Sequence, residues 1–188
     1  MAKKKVGAYM TIEKDCLVEI YTKNEDSFSV GKVFCQNSDS VVFFNVDEQG
    51  KISGYYAVKK NSITNILTDT EYLWKLEQYM QYGIENTYKS WFALKEINLD
   101  VEQSLFVQVL KHAKSSGIIV SLGMIYEETI ETGYVTELAQ DSIILECVDI
   151  ENADVLEKKL IKTDEIFFVE FESIDNILLQ YANRKRNN

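Results

Sequence analysis

One segment of the chain occurs twice, and this repeat constrains the fold more than any other feature of the sequence. The first copy runs from Gly31 to Asp47, and the second runs from Gly133 to Asp149. The two glycines are 102 positions apart, and so are the two aspartates. Neither copy therefore has an insertion or deletion relative to the other between these residues. Apolar positions coincide with apolar positions along about fifty residues at this offset. The repeat predicts an internal duplication with two similar folding units.

Size and charge limit what the two units can be. A chain of 188 residues has room for two small domains. The formal net charge is −10, which disfavours nucleic acid as a partner because binding to phosphates depends on lysines and arginines. No apolar stretch reaches transmembrane length, so we expect no membrane partner. Three cysteines without a CxxC pair indicate a reducing compartment, the cytoplasm.

Alternating apolar and polar residues predict five strands in each unit. In both units a glycine, Gly31 or Gly133, falls inside the second strand, where it indicates a bulge, a bend or a close backbone approach. Clusters of Asn, Asp, Ser and Gly separate the strands as turns. The predicted strands are 17–22, 28–35, 40–46, 52–60 and 63–67 in the first unit, and 118–126, 130–138, 142–148, 155–162 and 165–171 in the second.

Helical patterns lie between the units and at the end of the chain. Thr68 and Glu71 have the spacing of a capping box and predict a helix that continues to Gly83. Residues 84–98 are interpreted as a helical continuation that packs between the two halves. Asp100 is predicted to open a second helix, and residues 173–182 to form a third.

These patterns resemble the Sm-like family of small β-barrels. The resemblance rests on a helix followed by five strands, on Gly31-Lys32-Val33 and Gly133-Tyr134-Val135, and on the endings 58–63 and 161–166. It implies a mainly β fold with helices (α+β), in which two tandem five-stranded Sm-like or SH3-like barrels arise from an internal duplication and are joined by an α-helical middle. The predicted domains are 1–68 for the first barrel, 69–99 for the helical connector, and 100–188 for the second barrel with its N-terminal helix.

The residues by which the family binds uridine-rich RNA are not matched. The positions of the family's aspartate and asparagine hold Asn37 and Val41 in the first unit, and Ala139 and Ile143 in the second. Lys59 and Lys162 occupy the later loop, but neither is followed by the family's glycine. The RNA base pocket is therefore predicted to be lost, while Lys59, Lys60 and Lys162 stay as RNA-contact candidates under an RNA-binding alternative.

No pattern predicts a catalytic, metal or cofactor site. His112 is the only histidine, and no cysteine stands at a zinc-ligand spacing from it. Phosphate-binding glycine motifs are absent from the sequence. We therefore predict that the protein is not an enzyme and needs no cofactor. Gly31, Gly133, Asp47 and Asp149 are interpreted as structural residues of the repeat.

Aromatic residues in the middle of the chain are the candidates for an interaction surface, because exposed tryptophan and tyrosine commonly anchor protein interfaces. Packing in a core explains them equally well. The candidates are Trp74, Tyr79, Tyr82, Tyr88, Trp91 and Phe92.

Three hypotheses for function follow. The first is a non-enzymatic scaffold that binds another protein or itself through barrel edges, since Sm barrels assemble by pairing the fourth strand of one with the fifth strand of the next. A homo-oligomer would be one form of it. The second is RNA binding. The third is an acidic inhibitor or immunity protein that docks on a basic surface, suggested by the net charge alone.

Overall fold

The computed structural model describes residues 4–6, 12–23, 28–86, 94–126 and 129–186. These residues form eleven antiparallel strands and three α-helices, so the fold is mainly β with helices. The chain divides into two compact units, Met1–Leu105 and Phe106–Asn188. Nothing in the structure tests the domain boundaries predicted above, which therefore stay predictions.

The first unit contains six strands and one helix, and its strand order is β1-β6-β2-β3-β4-β5. The short strand β1 pairs with the outer edge of β6 and was not predicted, because three residues are too few to show an alternating pattern. The elements are β1 (Lys4–Val6), β2 (Leu17–Thr22), β3 (Phe28–Gln36), β4 (Ser40–Val46), β5 (Ile52–Lys59), β6 (Ile63–Thr68) and α1 (Glu71–Glu85).

The second unit contains five strands in the order β11-β7-β8-β9-β10. Two helices flank them in the chain, one before the first strand and one after the last. The elements are α2 (Leu105–Ser116), β7 (Ile119–Met124), β8 (Ile130–Leu138), β9 (Ser142–Val148), β10 (Val155–Lys162), β11 (Ile166–Phe171) and α3 (Ile174–Arg186).

The predicted closed barrels are not confirmed. In each unit the strand pairs of the described residues run in a linear order, so the sheet is open. In the first unit β6 already has a neighbour on each side, β1 and β2. It therefore has no free edge with which β5 could close a barrel.

The strand registers of the two units correspond residue by residue. Gly31 lies opposite Asn45, and Gly133 lies opposite Cys147, an offset of 102 on both strands. The same offset relates the β2–β3 and β7–β8 pairs. The offset becomes 103 after the turn that follows β4 and β9, where the Asp47 amide donates to the carbonyl of Lys51 but the Asp149 amide donates to the carbonyl of Asp154. One added residue in that turn therefore accounts for the change.

The unusual backbone positions correspond as well. Asp15 and Gly117 have φ angles of 65° and 58°, and they precede the first strand of each five-strand set. Asp69 and Glu172, at 57° and 49°, follow the fifth. Left-handed conformations are uncommon in non-glycine residues, so their recurrence at matched positions reflects matched chain reversals.

Close contacts explain why glycine stands at both positions, Gly31 and Gly133. A Cβ on Gly31 would lie 1.9 Å from a ring carbon of Phe43, and one on Gly133 would lie 2.2 Å from the carbonyl oxygen of Glu146. Of the three interpretations given above, the structure supports close approach. The bulges fall a few residues later, between Val33 and Cys35 and at the matched place in β8.

Three helix predictions need correction. The N-cap of α1 is Thr70, whose Oγ1 accepts the amide of Leu73, rather than Thr68. The chain reverses at Asp69, so the helix cannot begin earlier. Asp100 caps a turn through the amide of Glu102, and α2 begins only at Leu105. Residues 94–98 are not helical, and residues 87–93 lie outside the described residues.

Candidate interaction site

The helix α3 packs on the second unit through polar side chains. Asn176, Gln180 and Asn183 are 5%, 8% and 4% exposed, and they lie on one face of the helix. Buried amides are costly unless their donors and acceptors find partners. In this helix all three find them.

The amide side chains of α3 bond residues in strands, in a turn and in the segment that precedes β7. Asn176 accepts the hydroxyl of Ser121 at 3.0 Å, and Gln180 donates to the carbonyl of Gly117 at 2.6 Å. Asn183 accepts the hydroxyl of Tyr134 at 3.0 Å and donates to Ala153 at 2.9 Å. We call Asn176, Gln180 and Asn183 the amide ladder. Its bonds fix which face of α3 points inward.

The opposite face of α3 is apolar and exposed. Four large side chains recur at helical spacing i, i+3, i+4 and i+7, which places them along one stripe. We call them the α3 stripe: Ile174, Ile177, Leu178 and Tyr181, which are 51%, 45%, 58% and 63% exposed. A contiguous exposed apolar stripe of this kind marks an interaction surface more often than a solvated face.

Charges of opposite sign stand at the two ends of α3. Asp175 is exposed in the first turn, and Arg184, Lys185 and Arg186 occupy the last. Arg186 bonds the carbonyl of Asn152 at 2.9 Å and pairs with Asp154. Lys185 lies beside the stripe, with its Nζ 5.5 Å from the ring centre of Tyr181.

The strand β10 is a second exposed surface of the same unit. It is the terminal strand of its array, and six of its eight residues are exposed. Leu156 and Leu160 are apolar residues of this strand, and they are 51% and 74% exposed. A terminal strand offers unpaired backbone groups to another strand, and apolar side chains at its surface favour such pairing.

Beneath β10 a thiol lies next to an ion pair. Lys159 donates to both carboxylate oxygens of Glu131, at 2.9 and 3.0 Å, and this hydrogen bond raises the pKa of Lys159. Burial, helped by the charge of Glu131, raises the pKa of Cys147 to about 11. The thiol is therefore protonated at neutral pH and is a poor nucleophile.

The aromatic candidates of the sequence are only partly described. Trp74, Tyr79 and Tyr82 lie on α1 and are 60%, 43% and 56% exposed. They do not belong to the core of the first unit. Tyr88, Trp91 and Phe92 lie outside the described residues.

In the first unit, the side chains at the positions of the family's RNA pocket are used to build the loops. Asn37 accepts the amides of Asp39 and Ser40 and donates to the carbonyl of Gln103 at 2.9 Å. Lys60 is buried, its Nζ donates to Gln36 at 3.0 Å, and burial lowers its pKa. Neither side chain projects freely from the surface.

The second unit differs at the same positions. Ala139 has no polar side chain, and Lys162 is an exposed residue 3.9 Å from a carboxylate oxygen of Glu165. In the first unit Lys59 lies at the end of β5, where its carbonyl accepts the hydroxyl of Ser62. The three lysine candidates are therefore distributed over two units and two kinds of environment.

His112 contacts one carboxylate. Its Nε2 lies 3.0 Å from Oε1 of Glu172, which is 7% exposed. Within the described ranges, no group of three or more His, Cys, Asp or Glu side chains could hold a metal ion. In the same ranges, no helix combines the length and the apolar character that crossing a membrane requires.

Comparisons of the chain with family models, with curated proteins and with solved structures gave no match. The candidate surfaces therefore rest on geometry. The sequence analysis missed the α3 stripe and the exposure of β10. The stripe has a sequence signal, the spacing of Ile174, Ile177, Leu178 and Tyr181, but that signal alone would assign these residues to a core.

Proposed function

We propose that this protein is a non-enzymatic, cytoplasmic interaction module built on a duplicated Sm-like unit, and that it binds a partner protein along β10. The cytoplasmic part of the proposal rests on the three cysteines, which are all free thiols. The duplication is supported by the registers and the backbone reversals, which recur at offsets of 102 or 103. Thr70 Oγ1 and Ser173 Oγ also accept the amides of Leu73 and Asn176 at the offset of 103.

The Sm-like part of the proposal is supported by strand order. In the second unit the fifth strand lies next to the first, so the fourth and fifth strands, β10 and β11, are the outer two of this unit's five strands. The family resemblance requires this arrangement, because Sm barrels assemble through those two strands. A shared scaffold does not by itself imply a shared ligand.

The exposure of β10 is the observation that carries the choice of a protein partner. The corresponding strand of the first unit, β5, has no exposed residue, whereas β10 has six. Lys158 and Lys159 hold β10 to β8 and β9 through Glu146 and Glu131. The strand is therefore fixed in position while its outer edge stays available for an added strand, the mode called β-augmentation.

RNA binding is the weaker alternative. Asn37 and Lys60 are occupied by contacts within their own loops, and Ala139 cannot read a base. The net charge of −10 adds a repulsive contribution toward phosphates. Ring assembly is also limited, because β1 covers the edge of β6 that a fourth strand of another copy would need.

The test is native mass spectrometry of tagged protein captured from the lysate of its own host, with and without RNase. We expect a stoichiometric protein companion that survives RNase treatment. The Leu160→Lys variant should lose it, because a charge would replace an apolar side chain at the centre of the docking strand. Tyr126→Lys is the matched control, since Tyr126 is 83% exposed in the same unit but lies outside β10.

Each outcome decides between the alternatives. A companion lost from Leu160→Lys and retained by Tyr126→Lys supports docking on β10. A mass shift that disappears with RNase would replace the proposal with RNA binding. The absence of any companion protein contradicts docking on β10. A companion protein that both variants retain contradicts it as well.

A further inference from the structure

We propose that a cavity in the first unit binds the guanidinium group of an arginine side chain that belongs to a protein segment. The cavity lies between the start of β2 and the first turns of α1, and its volume is about 520 Å³. This inference goes beyond the proposed function, which concerns β10 of the second unit, and does not depend on it. We call this space the α1 cavity, and it is lined by Asp15, Cys16, Leu17, Asp69, Thr70, Leu73, Trp74 and Glu77.

The first step is that the α1 cavity is negatively charged. Asp15, Asp69 and Glu77 are exposed acids of its wall, and among the described residues that line it none is basic. The thiol of Cys16 senses their charge, because burial raises its pKa and the nearby carboxylates, Asp69 first, raise it further. A cation that enters the cavity therefore meets an attractive potential.

The two lysines nearest to the lining residues in the chain are directed elsewhere. Lys14 immediately precedes the first of them, and its Nζ lies 5.8 Å from the ring centre of Phe34. Lys75 lies on α1, and its Nζ lies 4.3 Å from the ring centre of Tyr72. Neither aromatic ring belongs to the wall of the α1 cavity. Both ammonium groups are therefore placed against rings outside it.

The second step is that the matched place in the second unit is filled by donors of its own helix. There Gln180 donates to the carbonyl of Gly117 at 2.6 Å, and the guanidinium of Arg184 reaches the same oxygen at 3.5 Å. Gly117 corresponds to Asp15 at the offset of 102, and Gln180 corresponds to Glu77 at the offset of 103. A carboxylate accepts hydrogen bonds but donates none, so Glu77 cannot make the bond that Gln180 makes.

The first unit also lacks an arginine at the matched position of α1. Gln81 corresponds to Arg184 at the offset of 103, and it donates to Glu85 at 2.9 Å instead. The α1 cavity is therefore open at the place where the second unit holds a guanidinium of its own. An arginine from another chain would supply the donors that α1 does not.

The third step selects a peptide arginine over other cations. Trp74 lines the cavity and is 60% exposed, and an indole ring attracts a cation placed over its face. A planar guanidinium stacks on such a ring while its N–H groups donate to carboxylates, whereas an ammonium is a compact point charge. Free arginine fits less well, because its own carboxylate would be repelled by the acids of the wall. An arginine within a peptide carries no such charge.

Titration of the full-length protein with N-acetyl-arginine amide, followed by NMR, tests the proposal. We expect saturable shifts of the Trp74 indole and of the amides of 15–17 and 69–77, with a dissociation constant of about 1 mM. N-acetyl-citrulline amide, an uncharged analogue of similar shape, should bind at least about tenfold more weakly. Free L-arginine should bind about fivefold more weakly than the probe.

Gln81→Arg tests the comparison between the two units. This variant places a guanidinium where the second unit has Arg184, so it should compete with the probe and weaken its binding about tenfold. Gln78→Arg is the matched control, because it adds the same charge to another face of α1. It should change the dissociation constant by less than about twofold.

Glu77→Gln removes one carboxylate and introduces the amide that the second unit uses to bond its own backbone. It should also weaken binding of the probe about tenfold. Glu85→Gln is its control, because it removes the same charge at the other end of α1. The side chains replaced in all four variants are exposed, so circular dichroism of each variant should match the parent.

The proposal is overturned by the absence of a saturable shift at the α1 cavity up to about 20 mM probe. Equal binding of the arginine and citrulline probes would overturn it too, because the cavity would then not recognise the charge. Equal affinities of Gln81→Arg and Gln78→Arg would place the guanidinium elsewhere. Free L-arginine that binds as tightly as the probe would assign the cavity to a small molecule and reject the protein segment.

Discussion

The helices α1 and α3 each follow the last strand of their unit at matched positions, yet they bury opposite kinds of side chain. Leu73 corresponds to Asn176, and Met80 corresponds to Asn183, at the offset of 103. In the first unit Leu73 and Leu76 join an apolar cluster with residues of β2, β3 and β4. In the second unit the amide ladder occupies that place.

The same arrangement of strands and helix can therefore expose different side chains, depending on which face of the helix is buried. Burying a leucine contributes about 2 kcal/mol, whereas a hydrogen bond in a folded protein contributes about 1 kcal/mol net. The amide ladder makes five such bonds, so it holds α3 about as strongly as Leu73 and Leu76 hold α1. It is also specific in direction, and it leaves the apolar residues of α3 free to face outward.

Exchanging the residues at one matched position, Leu73 and Asn176, should have the largest effect on the free energy of unfolding. Leu73→Asn places an amide in the apolar cluster and should lower the free energy of unfolding of the first unit by about 4 kcal/mol. Asn176→Leu should cost the second unit about 2 kcal/mol, because Ser121 and the carbonyl of Glu170 lose a partner. Urea denaturation measures both.

The two units can be followed separately. Both tryptophans, Trp74 and Trp91, belong to the first unit, so fluorescence reports on it, while hydrogen exchange of β7 and β9 reports on the second. Gln78→Asn and Ile177→Asn are controls at exposed positions of the same two helices and should change stability by less than about 0.5 kcal/mol. Equal costs for the two exchanges would show that the burial chemistry of the helices does not differ.

The two repeat glycines should differ in tolerance. Gly133→Ala should destabilise the second unit by about 3 kcal/mol, because its Cβ would meet backbone atoms of Glu146 and Cys147 that cannot move alone. Gly31→Ala should cost about 2 kcal/mol, since the obstacle is the ring of the buried Phe43, a side chain that can shift by displacing its neighbours without a change in the backbone. Thermal unfolding measures the order, and a costlier Gly31→Ala would contradict it.

Removing the N-caps of α1 and α3 should produce the next smaller difference in stability between the two units. Thr70→Ala should cost about 2 kcal/mol, because the hydroxyl both caps α1 and donates to the buried Glu19. Ser173→Ala should cost about 1 kcal/mol, because Ser173 only accepts the amide of Asn176. Thr70→Ser keeps the hydroxyl and removes only a methyl group, and a cost as large as that of alanine would refute the assignment of the α1 cap.

The mainly β class and the positions of most strands and turns could be predicted from the sequence, because strands and turns are encoded locally. The alternation in 28–35 and 130–138 and the turn residues Asp47 and Asp149 place the chain reversals, and each aspartate does accept amides of its turn. The start of α1 was misplaced because the left-handed conformation of Asp69 has no signature in the sequence. Whether the sheets close depends on distant strands, which local patterns do not describe.

The candidate site could not be predicted in the same way. An apolar stripe such as Ile174, Ile177 and Leu178 normally indicates the buried face of a helix. This expectation holds only when the polar side chains of the opposite face find no hydrogen-bond partners within the protein. Here the partners of Asn176 and Asn183 come from residues as far away as Ser121 and Tyr134. Pairings over such separations are tertiary contacts. Only the structure therefore shows that α3 buries its polar face and exposes its apolar face.

Alkaline pH should separate the two units through Tyr21, whose counterpart at the offset of 102 is Gly123. Burial, and then the hydrogen bond that Tyr21 donates to Glu19, raises the pKa of Tyr21 from 10.0 to about 12. The folded state holds this proton more tightly than the unfolded state. Its stabilising contribution is therefore fully present below pH 10 and is lost as the pH rises to about 12.

The difference between the parent protein and Tyr21→Phe isolates this contribution from other groups that titrate in the same range. Urea denaturation followed by fluorescence should show the parent losing stability relative to the variant between pH 10 and about 12, and a constant difference below pH 10. Hydrogen exchange of β7 and β9 should be the same in both proteins. A constant difference across the whole range would mean that Tyr21 titrates alike in the folded and unfolded chains, and that the first unit has no alkaline sensitivity of its own from this residue.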